Sequence, residues 1–441
     1  MIPLVLCLLL QPSPAAPGGD AAPLTLAEAV RISLERHPDI GKAQASAEVL
    51  KGKIREVRAA AFPDVSIGAN AQRWRDPSLL NASGLDKFPE ELRNALVPSA
   101  VNIFDYSISV KQPLYTAGKV GTALRLASIE AEGSEIDIDR AKQNLAVEVV
   151  KAFYALMWAE RNEKLVVETQ EQKARHAEMA RTRFRNGVAT EVDLLRSEVA
   201  VANGLPDLVR ARNAIKQARA LLNYYLGRPV ESPTRISGEF AETGWDEADL
   251  ETLNKEAIRR RPELLRLRIN ERSSAAQLEL ARAESRMRVD FNGAYGIVSR
   301  LPSNLFNPLY ARWNTGVSFT LPVFDGFRRS GLVWQATANG RAASLERDKN
   351  ERQVRLSVQQ GLDDLTAARE AVTAARANLR QAERVLEMTQ ANYQHGAATT
   401  LDVADAQTAL AVARTNLLRG LYDCAVARAS LRWTLGRTPW E

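Results

Sequence analysis

The chain states one unit twice, and its landmarks recur at a single offset. Pro113, in Lys-Gln-Pro-Leu-Tyr, is answered by Pro322, in Thr-Leu-Pro-Val-Phe, at 322 − 113 = 209 residues. The same offset joins Gly187, in Phe-Arg-Asn-Gly-Val-Ala-Thr, to Gly396, in Tyr-Gln-His-Gly-Ala-Ala-Thr. It also joins Gly227, in Tyr-Leu-Gly-Arg-Pro, to Gly436, in Thr-Leu-Gly-Arg-Thr-Pro. Landmarks in gapless register over this length imply a duplicated unit, so each half should supply an equivalent piece of one pseudo-symmetric object. The expected organisation is a leader at 1–16, a first repeat at 24–230, a linking segment at 231–249 and a second repeat at 250–441.

Each half reads helix, strand, loop, strand, very long helix, glycine turn, helix. His37-Pro38 and Arg261-Pro262 punctuate the first helices, because the residue before proline is pushed out of the helical region. Those prolines lie 262 − 38 = 224 apart, so the inter-strand loop should be 224 − 209 = 15 residues longer in the first half. The Pro/Asn/Ser-rich stretch 76–102 is that loop, against 300–312 in the second half.

Four segments alternate with period two, the signature of a strand with one apolar and one polar face. Val65, Ile67, Ala69 and Ala71 alternate with Ser66, Gly68, Asn70 and Gln72. Phe104, Tyr106, Ile108 and Val110 alternate with Asp105, Ser107, Ser109 and Lys111. The segments from Arg288 and from Trp313 repeat the pattern. A small soluble sheet packed on helices would explain this. A transmembrane barrel wall explains more, because such strands run about 9–11 residues with apolar side chains outward. Trp74 and Trp313 at one end, and Phe62, Tyr115 and Phe324 at the other, stand where two interfacial girdles would be. Four strands cannot close a barrel, and lipid does not tolerate an open edge. The chain should therefore oligomerise, and three copies would supply twelve strands.

The stretches 120–184 and 332–393 lack proline and are dominated by helix formers. At 1.5 Å per residue each helix would be on the order of 100 Å long. Leu365, Ala368, Val372, Ala375, Leu379, Ala382, Leu386, Thr389 and Tyr393 step by threes and fours, as in a coiled coil. Leu145, Val149, Ala152, Leu156 and Ala159 do the same. After each glycine the chain should return along itself, with Val192, Leu195 and Val199, and Leu401, Ala404 and Ala411, keeping the spacing. Pro206, near Gly204, is expected to bend the first return helix.

Composition excludes more than it selects. Net charge is +6, but Lys and Arg are spread along helical faces without interleaved aromatics, which argues against nucleic-acid binding. Cys7 and Cys424 provide neither a disulfide framework nor metal-ligand spacing, and His37, His176 and His395 are scattered, each expected as a surface residue rather than a ligand. No phosphate-cradling loop or nucleophile elbow occurs, so neither catalysis, a cofactor nor a metal site is expected. The apolar run 2–10 followed by Gln-Pro-Ser-Pro-Ala-Ala predicts a secretory signal peptide cleaved near Ala15 or Ala16. Cys7 follows Leu6 inside that run, which disfavours lipidation. No later stretch of about 20 apolar residues predicts a transmembrane helix.

These features resemble the TolC family of outer membrane efflux proteins over nearly all of the mature chain. The likeness rests on the duplication, on Gln-Pro-Leu-Tyr and Leu-Pro-Val-Phe-Asp-Gly, and on two tip motifs. One tip is Phe184-Arg185-Asn186-Gly187 running into Thr190-Glu191-Val192-Asp193. The other is Tyr393-Gln394-His395-Gly396 running into Thr399-Thr400-Leu401-Asp402-Val403-Ala404-Asp405. The resemblance implies a mainly α fold with a small β part: a homotrimeric α-barrel in the periplasm continued by a twelve-stranded barrel in outer-membrane lipid. It implies an exit duct for efflux or type I secretion, fed by an inner-membrane transporter through a periplasmic adaptor. Around 246–261 and the C-terminal Thr-Leu-Gly-Arg, it implies an equatorial belt.

The resemblance also implies that Asp402 and Asp405 line a periplasmic constriction, with Asp193 and Tyr393 beside them. Gly187, Val188, Ala189 and Thr190, with Gly396, Ala397, Ala398 and Thr399, would be the adaptor-docking tips. At i and i+3 the two carboxylates share a helix face, and threefold symmetry would make acidic rings that favour cations. First-turn residues at a helix N-terminus would be acidic anyway. The chain departs from the family in carrying Ala397 and Ala398 where a basic residue often sits beside the tip glycine. A soluble periplasmic coiled-coil adaptor or scaffold is the rival reading; it lacks four alternating strands with aromatic ends. The cargo cannot be read from the residues.

Overall fold

A computed structural model describes residues 23–75, 87, 89–92, 100–240 and 249–440. The leader and most of the first inter-strand loop lie outside these residues, as does the stretch 241–248. The elements are α1 (Leu26–Arg36), α2 (Pro38–Ala59), β1 (Asp64–Trp74), β2 (Val101–Tyr115), α3 (Lys119–Arg185) and α4 (Glu191–Tyr225). They recur as α5 (Leu250–Arg260), α6 (Pro262–Ala283), β3 (Arg288–Ser299), β4 (Ala311–Thr320), α7 (Arg328–Gln394) and α8 (Thr400–Thr434). Paired helices match in length: 11 residues for α1 and α5, 22 for α2 and α6, 67 for α3 and α7, and 35 for α4 and α8. The duplication therefore extends to these eight helices. No helix among the described residues is long and apolar enough to cross a membrane.

Two compact units each draw on both repeats. One comprises Gly41–Ala141 and Ile258–Arg355; the other comprises Met1–Ile40, Lys142–Ala257 and Leu356–Glu441. The first holds one antiparallel sheet in the order β1-β2-β3-β4. Its register aligns the apolar alternation of all four strands. Ile67 pairs with Ile108, Ile108 with Tyr295, and Tyr295 with Trp313. On the opposite face Ser66 pairs with Ser109, their hydroxyls 2.8 Å apart, and Asn292 Nδ2 donates to Ser318 Oγ at 3.0 Å. Arg312 reaches Asp105 at 3.2 Å on that face. Pro113, which has no N–H to give, falls at the irregularity in the β2–β3 ladder, a position open to proline. Among the described residues the apolar face is largely uncovered, with Ile67 76% exposed and Trp313 73%, except near the inter-strand loop, where Ile297 is buried and Phe306 lies against Tyr106.

In the same unit α6 packs on the start of α3. Ile129, Ile269 and Ala276 form a small buried cluster, with Leu126 and Ile136 against it. Arg266 forks to Glu130 and Asp137, each at 3.1 Å, and Arg347 reaches Glu271 at 2.8 Å.

The second unit holds most of the fully buried side chains, among them Val149, Val150, Phe153, Leu156, Leu222, Leu253, Leu431 and Leu435. Here the linking segment runs back over the helices. Leu24 bridges to Ile236, Phe240 stacks on Tyr154 at 5.9 Å, and Arg437 grips Glu256 through two hydrogen bonds of 2.9 and 2.6 Å. Asn223 fastens the turn after α4, donating to Val230 O and Ser232 O and accepting from Thr234.

The outgoing seams are buried as the spacing predicts: Leu145, Val149, Ala152, Leu156 and Ala159 on α3, and Leu365, Val372, Ala382, Leu386 and Tyr393 on α7. The return helices differ from expectation. Val192, Leu195, Val199 and Leu401 are half or more exposed, while Ser197, Gly204 and Ala211 on α4, and Val403, Ala406, Leu410 and Ala413 on α8, are buried. Apolar spacing marks every face that seeks a partner, and one chain covers only one such face. Pro206 lies inside α4, which runs on through it.

Candidate functional site

The two hairpin tips belong to the second unit, and each is built from a glycine cap followed by a threonine cap. Gly187 and Gly396 both have φ 75°, a left-handed backbone that glycine adopts without steric cost. Val188 N–H then closes on Arg183 O at 2.9 Å, and Ala397 N–H on Asn392 O at 2.8 Å, satisfying carbonyls the helix end would leave bare. Three residues on, Thr190 and Thr399 start the return helices. Their hydroxyls accept from Asp193 N and Asp402 N, both at 3.2 Å. In return Asp193 accepts from Thr190 N–H at 3.2 Å and Asp402 from Thr399 N–H at 2.7 Å. These are reciprocal capping boxes.

The tip residues named from sequence are thus placed on the surface. Gly187, Val188, Thr190, Gly396, Ala397 and Thr399 are exposed, and Ala189 and Ala398 half-buried. Asp402 and Asp405 are exposed, and Asp193 is half-buried. The cap accounts for Asp193 and Asp402 without any further role. Hydrogen bonds from Thr399 hold the Asp402 carboxyl below its ordinary pKa near 3.8, and those from Thr190 do the same for Asp193. A depressed carboxyl stabilises the fold above the ordinary value and loses that contribution as pH falls through the lowered one. The tips should therefore keep their first helical turns down to about pH 4. Thr399→Ala should cost about 1 kcal/mol locally, read as faster amide exchange confined to the start of α8.

Tyr393 is placed differently from Asp402 and Asp405. It is buried, and it joins three helices. Its ring lies under the Arg183 guanidinium at 4.2 Å, and its carbonyl accepts from Arg183 at 3.1 Å. Its other neighbour is the His176 ring, 5.6 Å away, and its hydroxyl is 3.4 Å from Thr400 Oγ1 at the start of α8. Sequence reasoning named Tyr393 but missed Arg183 and His176. The available signal was a break in the repeat: the positions 209 residues on are Asn392 and Val385.

The outer membrane efflux protein family profile matches residues 29–228 and 253–437. This chain belongs to that family. Among its relatives is the outer membrane protein TolC of Vibrio cholerae serotype O1, 23% identical, the alignment covering 93% of this chain and 90% of TolC. A membrane protein from Pseudomonas aeruginosa has a similar solved structure, with TM-score 0.80, 22% identity and coverage of 93% of this chain and 90% of that one. The Campylobacter jejuni CmeC outer membrane channel superimposes with TM-score 0.80 at 17% identity, covering 93% and 85%. The outer membrane efflux protein is thus an outer-membrane exit duct with a helical periplasmic part, rather than a soluble adaptor. The Neisseria gonorrhoeae MtrE structure, also similar in fold, is likewise described as an outer membrane channel.

Proposed function

We propose that this efflux protein works as a homotrimer whose periplasmic tips dock on an adaptor and whose Asp402 and Asp405 rings form the constriction. The observation that carries the trimer is the sheet: four strands, apolar on one face, with β1 and β4 each presenting an unpaired edge. An unpaired edge in hydrocarbon costs several kcal/mol for each bare backbone group, and pairing β4 of one copy with β1 of the next removes it. Exposed Val192, Leu195, Val199 and Leu401 are accounted for in the same way, since each helix in a closed ring has neighbours on both sides.

Solutes cross unchanged, handed on by an adaptor that links the duct to an inner-membrane transporter. The glycine-capped tips suit docking because they are exposed and their turns are closed by local hydrogen bonds. In the trimer, Asp402 and Asp405 would give two rings of three carboxylates about one helical turn apart, which favours cations over anions.

Asp402→Asn with Asp405→Asn tests the constriction with the cap retained, because asparagine keeps an oxygen for Thr399. In planar bilayers the double variant should conduct better than the parent. Block by a multivalent cation should weaken about tenfold or more, the change that roughly 1.4 kcal/mol of lost attraction produces. Conductance and block identical to the parent would defeat the gate assignment. A protein that runs as a monomer in mild detergent, and leaves the membrane on a salt wash, would defeat the trimer.

A further inference from the structure

The contact on Tyr393 has a feature that the duct and its acidic constriction do not use. His176, expected at the surface, is buried at 8% exposure, and its Nε2 has no hydrogen-bond partner among the described residues. It sits on α3 beside a cavity of about 210 Å³, whose lining includes Gln172, Arg175, Gln390, Tyr393 and Gln407. The lining brings together α3, α7 and α8, the helices that meet at the tip. A neutral imidazole fits this place, its ring tilted 53° against that of Tyr393. A protonated one does not. Of the charged groups near it, Arg175 lines the cavity from the same helix and is paired with Glu171 at 3.6 Å, and Arg183 lies over the Tyr393 ring. Neither α7 nor α8 brings a carboxylate to the cavity lining.

We propose that His176 is a proton-sensitive positioning residue of the periplasmic gate: neutral, it holds Tyr393 and the end of α7 against α3; protonated, it releases them. The proposal rests on the reading of this end of the hairpins as the gate. Protonation would bury a second cation near Arg183 with no carboxylate in the cavity lining to offset it, a cost relieved when the ring reaches water. Burial also pushes the His176 pKa below its ordinary value near 6.5. The sign follows from linkage. The closed arrangement binds the proton less readily than an opened, solvated one, so closure is fully favoured above 6.5 and weakens as pH falls below it. Asp402 and Asp193 titrate below about pH 4, so the two effects occupy separate windows.

The test is single-channel conductance of the full-length protein in planar bilayers, taken from pH 8 to pH 5. The parent should show a rise in open-state occupancy with a midpoint below 6.5. In His176→Phe, which keeps a flat ring and cannot titrate, that rise should be lost. If the phenylalanine variant fails to assemble, His176→Gln serves, and a flat pH profile is again the expected result. A rise of the same size and midpoint in either variant overturns the proposal, as does a flat profile in the parent. Tyr393→Ala at pH 8 separates the layers. Higher conductance there upholds the gate reading whatever His176 does, and unchanged conductance removes both.

Discussion

Arginine in place of Ile108 should keep most of the protein out of the outer membrane. Ile108 stands in the middle of β2, between Ile67 on β1 and Tyr295 on β3, on the face where all four strands are apolar. A cation on the lipid face near the bilayer midplane costs about 2–4 kcal/mol, and a trimer carries the change three times. Ser109, the next residue, points to the opposite face and pairs with Ser66. Ser109→Arg should therefore be tolerated, because its charge meets the aqueous interior. The measurement is the fraction of heat-modifiable oligomer in outer-membrane preparations of the two variants. Equal losses would mean that the two faces are not lipid and water, and the barrel reading would fall.

Valine at Gly296 should disrupt the sheet itself. A Cβ built there comes within 2.6 Å of Ser107 Cβ and 2.7 Å of Ser107 Cα, with the Tyr106 carbonyl closer still. Most of this is backbone of the paired strand, which no rotamer change can clear. Overpacking typically costs about 1–3 kcal/mol, and a clash with backbone belongs at or beyond the upper end. Gly68 and Gly316, on the same polar face, have open space where a Cβ would stand. Gly68→Val should therefore leave the urea midpoint of refolding into lipid vesicles nearly unchanged, while Gly296→Val lowers it sharply or abolishes refolding. Similar midpoints for the two would show that the close approach of β2 and β3 is not needed.

The readings that came through best were those written as a period or a repeat. Alternation along Val65–Ala71 and Phe104–Val110 is a local property, and each strand shows it without reference to its neighbours. Gly187 and Gly396 stood out because a helix end needs a left-handed residue, and glycine takes that conformation most readily. The return helices were harder. Val192, Leu195 and Val199 have core spacing yet stay exposed, because helical periodicity records that a face is apolar but not which helix will cover it. At the second tip, Asp402 was legible as a first-turn acid, but its exchange of hydrogen bonds with Thr399, and that of Asp193 with Thr190, emerged only from the structure.

By itself the sequence determined the duplicated element order, the two-faced strands, the hairpins and their glycine turns, because each depends on residues near one another in the chain. Only the tertiary structure decided that Arg183 and His176 enclose Tyr393, across separations of 210 and 217 residues (393 − 183 and 393 − 176). Contacts at that range depend on the rotation of two helices, α3 and α7, about their axes, and no local pattern of apolar residues encodes that angle.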